Sequence, residues 1–405
     1  MARRLPGISL SALLIGGYLV LGLYVFVRGW AVVPPVLRVG YLCLAAACVL
    51  GYPAARRWQE RSASSLADWA VFLSSLWIPS VLYLFFGITA WDLLRLLPRV
   101  AKLEERLLPP WATAFVLVAW VALLLLKGAI NARRILVQRL DLSLDPLPPP
   151  SSAPSHLTIA LASDLHITGT FGAKRLVRIL EAIGATEPDL VLLPGDLVDA
   201  PAQVLEGAGV GPLFRSLRAP LGVFACPGNH EYYCGADGVV AFLEKNGITV
   251  LRDRSVEVGG FLRIAGREDR AKMVLGDGRP RLPLRQIVEK SDPHLPLLVL
   301  DHRPSALDEA AACGADLLVC GHTHDGQFWP VNHAVSRLYP LAYGYARRGK
   351  THVIVTRGAG TWGPPIRIGQ CSEIFRITLR LGAGEGGNSQ KPWPPAPGAV
   401  GSANG

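Results

Sequence analysis

The chain has 405 residues, of which 50% are apolar and only 18% charged, with 42 Gly, 32 Pro and a formal net charge of +10. A mean hydropathy of +0.32 excludes a disordered or fibrous chain, and the length points to two or three domains. The charge is uneven: residues 1–145 hold 15 Lys and Arg against 7 Asp and Glu, while residues 146–405 hold 26 against 24. The basicity therefore belongs to the N-terminal third. Anionic lipid headgroups explain it better than nucleic acid, which is not an expected partner.

Residues 1–143 read as a membrane domain with four helices. The run 8–27 carries no charge and is long enough to cross roughly 30 Å of hydrocarbon. The run 36–52 is charge-free apart from Arg38 at its edge. The run 69–91 has Trp at both ends, where an amphipathic ring favours the interface, and 111–126 is closed by Lys127. Arg3 and Arg4 before the first run resemble the start of a signal peptide, but no small-residue cleavage site follows and three more apolar runs do. The interiors of the runs hold no ionisable side chain, which favours anchoring over an ion or proton pathway. Residues 93–108 form an amphipathic stretch expected to lie along the interface, interrupted at Pro98.

Arg3, Arg4, Arg56, Arg57, Arg61, Lys127, Arg133, Arg134 and Arg139 fall on one side of such a bundle. Arg28, Arg38, Arg95, Arg99, Lys102 and Arg106 fall on the other. The positive-inside rule puts the first set, and the chain beyond residue 127, in the cytoplasm; one span more or fewer reverses this. The expected location is an integral membrane protein, of the inner membrane if bacterial. The seven cysteines form no CxxC and little sign of a disulfide framework, with a Cys226–Cys234 bridge left open.

Residues 144–155 are a stiff Pro-rich linker, and 382–405 a Gly/Pro/Ser-rich tail expected to be disordered. Between them, apolar runs ending in Gly or polar clusters alternate with helical stretches. Strands are expected at 157–162, 190–193, 222–225, 261–265, 297–300, 317–320, 353–356 and 374–379, and helices at 174–186, 235–246 and 305–313. This pattern is α/β. The last strands have no helices between them, so a purely parallel sheet is not expected.

The chemistry lies just beyond the strand ends. Ser163-Asp164-Leu165-His166 comes after the first strand, Pro194-Gly195-Asp196-Leu197-Val198-Asp199 after the second and Pro227-Gly228-Asn229-His230-Glu231 after the third. Later come Asp301-His302 and Gly321-His322-Thr323-His324. Ligands gather at the carboxyl ends of strands in open α/β sheets, and five of the nine His residues fall at these positions. Carboxylate and amide oxygens mixed with imidazoles suit Mn, Fe or Zn in a two-metal site. Strand-like alternation in Asp164-Leu165-His166, and again in His322-Thr323-His324, would turn each polar pair to one side.

The order DxH, GDxxD, GNHE, H and GHTH resembles the calcineurin-like metallophosphoesterases, and within them the membrane-tethered bacterial phosphodiesterase branch. GHTHDGQ and TRGAGTWGPPIRIG, followed by Glu373-Ile374, support the narrower likeness, which covers about 156–381. The resemblance implies a four-layer α-β-β-α sandwich with two mixed sheets. It implies that Asp164, His166 and His324 hold one divalent metal ion, that Asn229, His302 and His322 hold the other, and that Asp196 bridges both. Asp325 stands where this branch commonly has Gly, adding a charge beside the pocket.

The reaction expected of such a site is hydrolysis of a phosphomonoester or phosphodiester by a metal-bridging hydroxide attacking phosphorus. The resemblance gives His230 the stabilisation of the transition state or protonation of the leaving oxygen, a role imidazole suits. Glu231 is expected to orient His230, and Asp199 to set the tautomer of a metal-binding His. Arg357 is a candidate phosphate contact, Arg367 and Arg347-Arg348 weaker ones. Tyr232, Tyr233, Trp329 and Trp362 are read as packing, with an apolar substrate rim as the alternative. Four anchoring helices would hold the site near the bilayer, so the phosphate ester is read as nucleotide-containing or lipid-linked, and membrane lipids as partners. Two alternatives are a pyrophosphate hydrolase acting on a UDP-diacylglucosamine-type sugar nucleotide and a non-catalytic metal-binding scaffold or sensor. A complete ligand set with His230 weighs against the scaffold. Oligomeric state is left open.

Overall fold

A computed structural model describes residues 10–62, 64–96, 108–144 and 153–381. The tail 382–405, most of the linker 144–155 and residues 97–107 of the expected interfacial stretch lie outside the described residues. The chain divides into two compact units: residues up to 58 with 69–128, and residues 59–68 with the chain from 129 onward.

The first unit is helical, with α1 (Leu10–Trp30), α2 (Arg38–Gln59), α3 (Ser65–Ser75), α4 (Trp77–Leu96) and α5 (Pro110–Arg133). Among the described residues, Pro35–Gln59, Ser65–Arg95 and Pro110–Arg133 are long and apolar enough to cross a membrane. The 21-residue α1 has no charge before Arg28. The run 69–91 is not one helix. It breaks at Leu76, because Pro79 has no N–H to continue the ladder and its ring crowds the carbonyl of Ser75. Leu23, Val39, Leu50, Phe115 and Leu123 are all more than half exposed, an apolar surface suited to lipid. Arg28 and Asp92, just beyond the charge-free runs, form a bidentate ion pair between α1 and α4, and Tyr24 Oη donates to Asp92 Oδ2 at 3.2 Å.

The second unit holds strands β1 (Ile135–Ser143), β2 (His156–Leu161), β3 (Leu190–Pro194), β4 (Val223–Cys226), β5 (Thr249–Val250) and β6 (Arg254–Val258). They continue with β7 (Leu262–Gly266), β8 (Leu297–Leu300), β9 (Leu317–Cys320), β10 (Gly344–Arg348), β11 (Thr351–Val355) and β12 (Ser372–Arg380). Its helices are α6 (Thr170–Gly184), α7 (Ala202–Gly207), α8 (Val210–Ser216), α9 (Asn229–Tyr233), α10 (Ala236–Lys245), α11 (Lys272–Leu275), α12 (Leu284–Val288), α13 (Leu307–Ala312) and α14 (Val331–Val335). One six-stranded sheet runs β1-β12-β2-β3-β4-β5 and the other β10-β11-β9-β8-β7-β6. Both are mixed: β12 is antiparallel to β2, β10 to β11 and β6 to β7, and the remaining pairs are parallel.

Leu161, Leu192 and Phe375 of the first sheet meet Ile264, Leu300 and Val319 of the second in a core between the sheets. On the outer face of the first sheet, Leu176, Ile179 and Ile183 of α6 recur at helical spacing and cover Val191 and Leu193. Leu284, Ile287, Leu307 and Ala310 of α12 and α13 cover Val299 and Leu318 on the other sheet. The fold is the four-layer α-β-β-α sandwich.

Each of the eight expected strands is present within two residues at either end; β1, β5, β6 and β10 were not anticipated. The β1 strand corrects the domain boundary at 143. It pairs in parallel with β12 from Ile135↔Ser372 to Ser143↔Arg380, so these residues belong to the second unit. Asn131 and Ala132, still within α5, also bond to it: Asn131 Nδ2 donates to the Arg367 carbonyl at 3.2 Å and Ser372 Oγ to the Ala132 carbonyl at 3.1 Å. The segment 59–68 joins the same unit. Asp68 is buried there, accepting Phe171 N–H at 2.8 Å and Gln59 Nε2–H at 2.6 Å. It supplies an anion to the N-terminus of α6, whose own N-cap, Gly169, has no side chain to offer.

Candidate metal centre

The strands β2, β3, β4, β8 and β9 end at Leu161, Pro194, Cys226, Leu300 and Cys320, and the turns beyond them bring the five motifs together. The mechanism of convergence differs from the expected alternation. Asp164, His166, Asp196, His322 and His324 lie beyond the strands, in left-handed backbone with φ of 55°, 46°, 52°, 73° and 50°. Each such non-glycine residue costs about 1–2 kcal/mol, so the surroundings must hold it in place. Backbone bonds do this, from Asp164 N to the Gly195 carbonyl and from His166 N to the Asp196 carbonyl, each 3.1 Å. The glycines make room: a Cβ on Gly321 would overlap Asp164 Oδ2 and Ser163 Oγ, and one on Gly195 (φ +82°) would lie 2.6 Å from His302 Nδ1.

Three donor groups result among the described residues, the ligand atoms of each within 4.8 Å of one another. Asp164, His166 and His324 form the first cluster and Asp196, His302 and His322 the second, while His166, Asp199 and His230 form a third that shares His166 with the first. In the first, His166 Nε2 is 2.9 Å from His324 Nε2, which is 3.4 Å from Asp164 Oδ1. In the second, His302 Nε2 is 3.2 Å from His322 Nδ1 and 3.1 Å from Asp196 Oδ2. That same Asp196 oxygen lies 4.0 Å from His166 Nε2, between the clusters. Asn229 is 6% exposed, and its Oδ1 is buried with no hydrogen-bond partner. An orphaned amide oxygen beside carboxylates and imidazoles fits a hard or borderline divalent cation.

Outer contacts orient the rings. His302 Nδ1 lies 3.0 Å from the Pro194 carbonyl and His166 Nδ1 2.8 Å from Asp199 Oδ1, so each ring is engaged at Nδ1 and turns Nε2 toward the cluster. Asp199 also lies 2.6 Å from His230 Nδ1. Asp199 does not cap a helix; the N-cap of α7 is Pro201.

Burial and charge oppose each other throughout. Burial works to raise Asp196 and Asp199, but facing imidazoles outweigh it and hold both well below the usual carboxylate range. Asp164 is raised, by burial. Burial would lower His302 and His230, yet Asp196 lifts the first to about 10, and Asp199 with Asp196 lifts the second to about 9. His322 and His324 are pushed well below the ordinary value by burial and neighbouring positive charge, which favours neutral, metal-binding imidazoles.

Three expectations are revised. Glu231 does not touch the His230 side chain among the described contacts. Its carboxylate accepts backbone N–H from Asp196 (3.0 Å), Leu197 (2.7 Å), Val198 (3.2 Å) and Gly228 (2.7 Å), lacing two ligand loops together. Arg357 lies over the Tyr343 ring, 3.8 Å from its centroid, with Nε 3.4 Å from Glu373. Arg367 is fully buried and donates to the carbonyls of Arg357, Gly358 and Gly360, tying down the loop that passes behind Asp164. Arg175 was missed altogether. It donates to the His166 carbonyl and to Thr361 Oγ1, and burial lowers it to about 10. Burial likewise raises Asp325 to about 6 against the pull of Arg357. Tyr233, Trp329 and Trp362 are more than half exposed, whereas Tyr232 is buried; Cys226 and Cys234 do not form a disulfide.

A family model described as calcineurin-like phosphoesterase matches residues 157–326. A Bos taurus protein named transmembrane protein with metallophosphoesterase domain is 29% identical over 329 residues, covering 78% of this chain and 72% of the relative. An uncharacterized metallophosphoesterase of Aquifex aeolicus is 32% identical over 235 residues, covering 56% of this chain and 86% of the relative. Among solved structures, a 5'-nucleotidase precursor from Thermus thermophilus aligns with a TM-score of 0.36 at 16% identity. That alignment covers 56% of this chain and about half (54%) of that one, and lends no weight to a function. By sequence, supported by the fold and the ligand set, the chain belongs to the calcineurin-like metallophosphoesterase family.

Proposed function

We propose that this chain is a membrane-anchored phosphoesterase with two divalent cations, hydrolysing a phosphomonoester or phosphodiester that carries a lipid. The observation that carries the reading is the pair of donor clusters on either side of Asp196 Oδ2, with an unpartnered Asn229 Oδ1 beside them. Bound there, two divalent cations would supply charge neutralisation at the phosphoryl oxygens and an activated water. Asp164, His166 and His324 would hold one and Asn229, His302 and His322 the other, with Asp196 shared.

His230 is suited to deliver a proton. Its Nδ1 is engaged by Asp199, its Nε2 lies 4.0 Å from Asp196 Oδ2, and its raised pKa keeps it protonated near neutrality. A lipid substrate is supported by α11, which packs beside α9 and presents Met273, Val274 and Leu275 at 61%, 82% and 49% exposure next to Arg270 and Lys272. It is supported too by the chain itself, since β1 starts two residues after α5 ends. Residues 59–68 group with the chain from 129, which supports reading both on one face of the membrane, and Arg56, Arg57 and Arg61 favour the cytoplasmic face for them by the positive-inside rule.

The test is a substrate panel on the full chain loaded with Mn²⁺, Fe²⁺ or Zn²⁺. It compares p-nitrophenyl phosphate and its bis ester with lipid phosphates, nucleotide diesters and lipid-linked sugar nucleotides. Hydrolysis with lipid phosphates preferred is expected. Hydrolysis confined to the sugar-nucleotide pyrophosphate would shift the reading to that class, and no turnover with any metal would leave a scaffold.

A further inference from the structure

The first unit has a half-open cavity of about 600 Å³ between α1, α2, α4 and α5, within the size range of ligand pockets. Phe26, Leu44, Leu84 and Leu117 line it with hydrocarbon, and Arg28 and Arg95 stand on its wall. The two arginines are not equivalent. Arg28 is neutralised by its bidentate pair with Asp92. Arg95 makes no ion pair or hydrogen bond among the described residues and shares the attraction of Asp92 with Arg28, so two guanidinium groups at this end face one described carboxylate, with Arg95 the cation in excess.

That charge sits in the last turn of α4. Leu84 lies eleven residues earlier in the same helix, about 16 Å along its axis. The cavity thus has a cationic end and a hydrocarbon end, the polarity of an amphiphile. A further lining residue, Trp77, stands eighteen residues before Arg95, beyond Leu84, and stacks on Phe26 at the hydrocarbon end. Water is a poor occupant of so apolar a space.

We propose that this cavity is a binding site for one phospholipid with an anionic headgroup. The headgroup phosphate pairs with Arg95, and one acyl chain runs past Phe26 and Leu84. The inference rests on membrane association but not on phosphoester hydrolysis.

The test uses the full chain expressed in a host whose membrane contains phosphatidylglycerol and phosphatidylethanolamine, then purified in mild detergent. Native mass spectrometry counts retained lipid, and headgroup analysis of the extract is compared with the host membrane. One retained phospholipid is expected, with phosphatidylglycerol enriched about fivefold, the equivalent of roughly 1 kcal/mol for one basic side chain near a lipid headgroup. Arg95→Gln should abolish the enrichment and Arg95→Lys should restore it, while Leu84→Trp should reduce the amount of lipid retained. No retained lipid, or retained lipid in host proportions that Arg95→Gln leaves unchanged, overturns the proposal. Hydrolysis of p-nitrophenyl phosphate by the same preparation reports separately on the catalytic reading.

Discussion

His230 gives its Nδ1 to Asp199 at 2.6 Å, and the two carboxylates around it hold its proton to about pH 9, against an ordinary value of 6.5. The folded pKa is raised, so the acid form is complete below 6.5 and is lost as pH climbs through the folded value. Cations paired with Asp196 would remove part of that attraction, so the alkaline limb of kcat should fall between 6.5 and about 9. His230→Asn should lose about 10²- to 10⁴-fold in kcat, abolish that limb and keep its metal, as measured by pH-rate profiles and elemental analysis. If the metal leaves as well, His230 is a ligand and not an acid. Glu231→Gln turns one acceptor oxygen into an amine facing backbone N–H groups; thermal melts should show a loss of about 1–3 kcal/mol. The candidate ligands stood out in the sequence because carboxylate, amide and imidazole lay at glycine-marked strand ends. Their supports were not. Arg175 and Arg367 grip backbone carbonyls, which carry no residue identity to read, and Glu231 looked like a partner for its neighbour His230.

At the scale of elements, buried strands such as LVLLP and LLVC announced themselves as uninterrupted apolar runs. The strands that escaped notice are half-exposed or short. In β1 the alternation Leu140 and Leu142 buried, Arg139 and Asp141 exposed is a period-two signal, masked by the charged end of α5 directly before it. The β6–β7 hairpin carried a cue in Gly259-Gly260, both at positive φ, within the three-residue connection between the paired Val258 and Leu262. The β1 strand has a practical consequence. A fragment of residues 155–381 lacks it and bares the edge of β12 along nine residue pairs, a template for aggregation. That fragment should therefore be less soluble and melt lower than one starting at Ala129, by light scattering and calorimetry. Equal behaviour would make β1 an ornament on the sheet.

For the whole molecule, charge asymmetry and apolar runs marked the membrane third before any fold was known. What they left blank was that residues 59–68 and the chain from 129 onward, the last turn of α5 included, belong to the second unit. The proposed cytoplasmic placement of the second unit predicts that a tag fused after residue 382 resists external protease in intact cells, and ready cleavage would reverse the orientation. Two cations sharing one carboxylate is the claim on which the chemistry turns, because Asp196 Oδ2 lies 3.1 Å from His302 Nε2 of one cluster and 4.0 Å from His166 Nε2 of the other. Elemental analysis of the purified full chain beside its Asp196→Asn variant measures it most directly. Two divalent cations per native chain are expected, with both lost or severely depleted in the variant together with phosphoester hydrolysis. A native chain that binds at most one cation when saturated with Mn²⁺, Fe²⁺ or Zn²⁺, or a variant that keeps two, contradicts it.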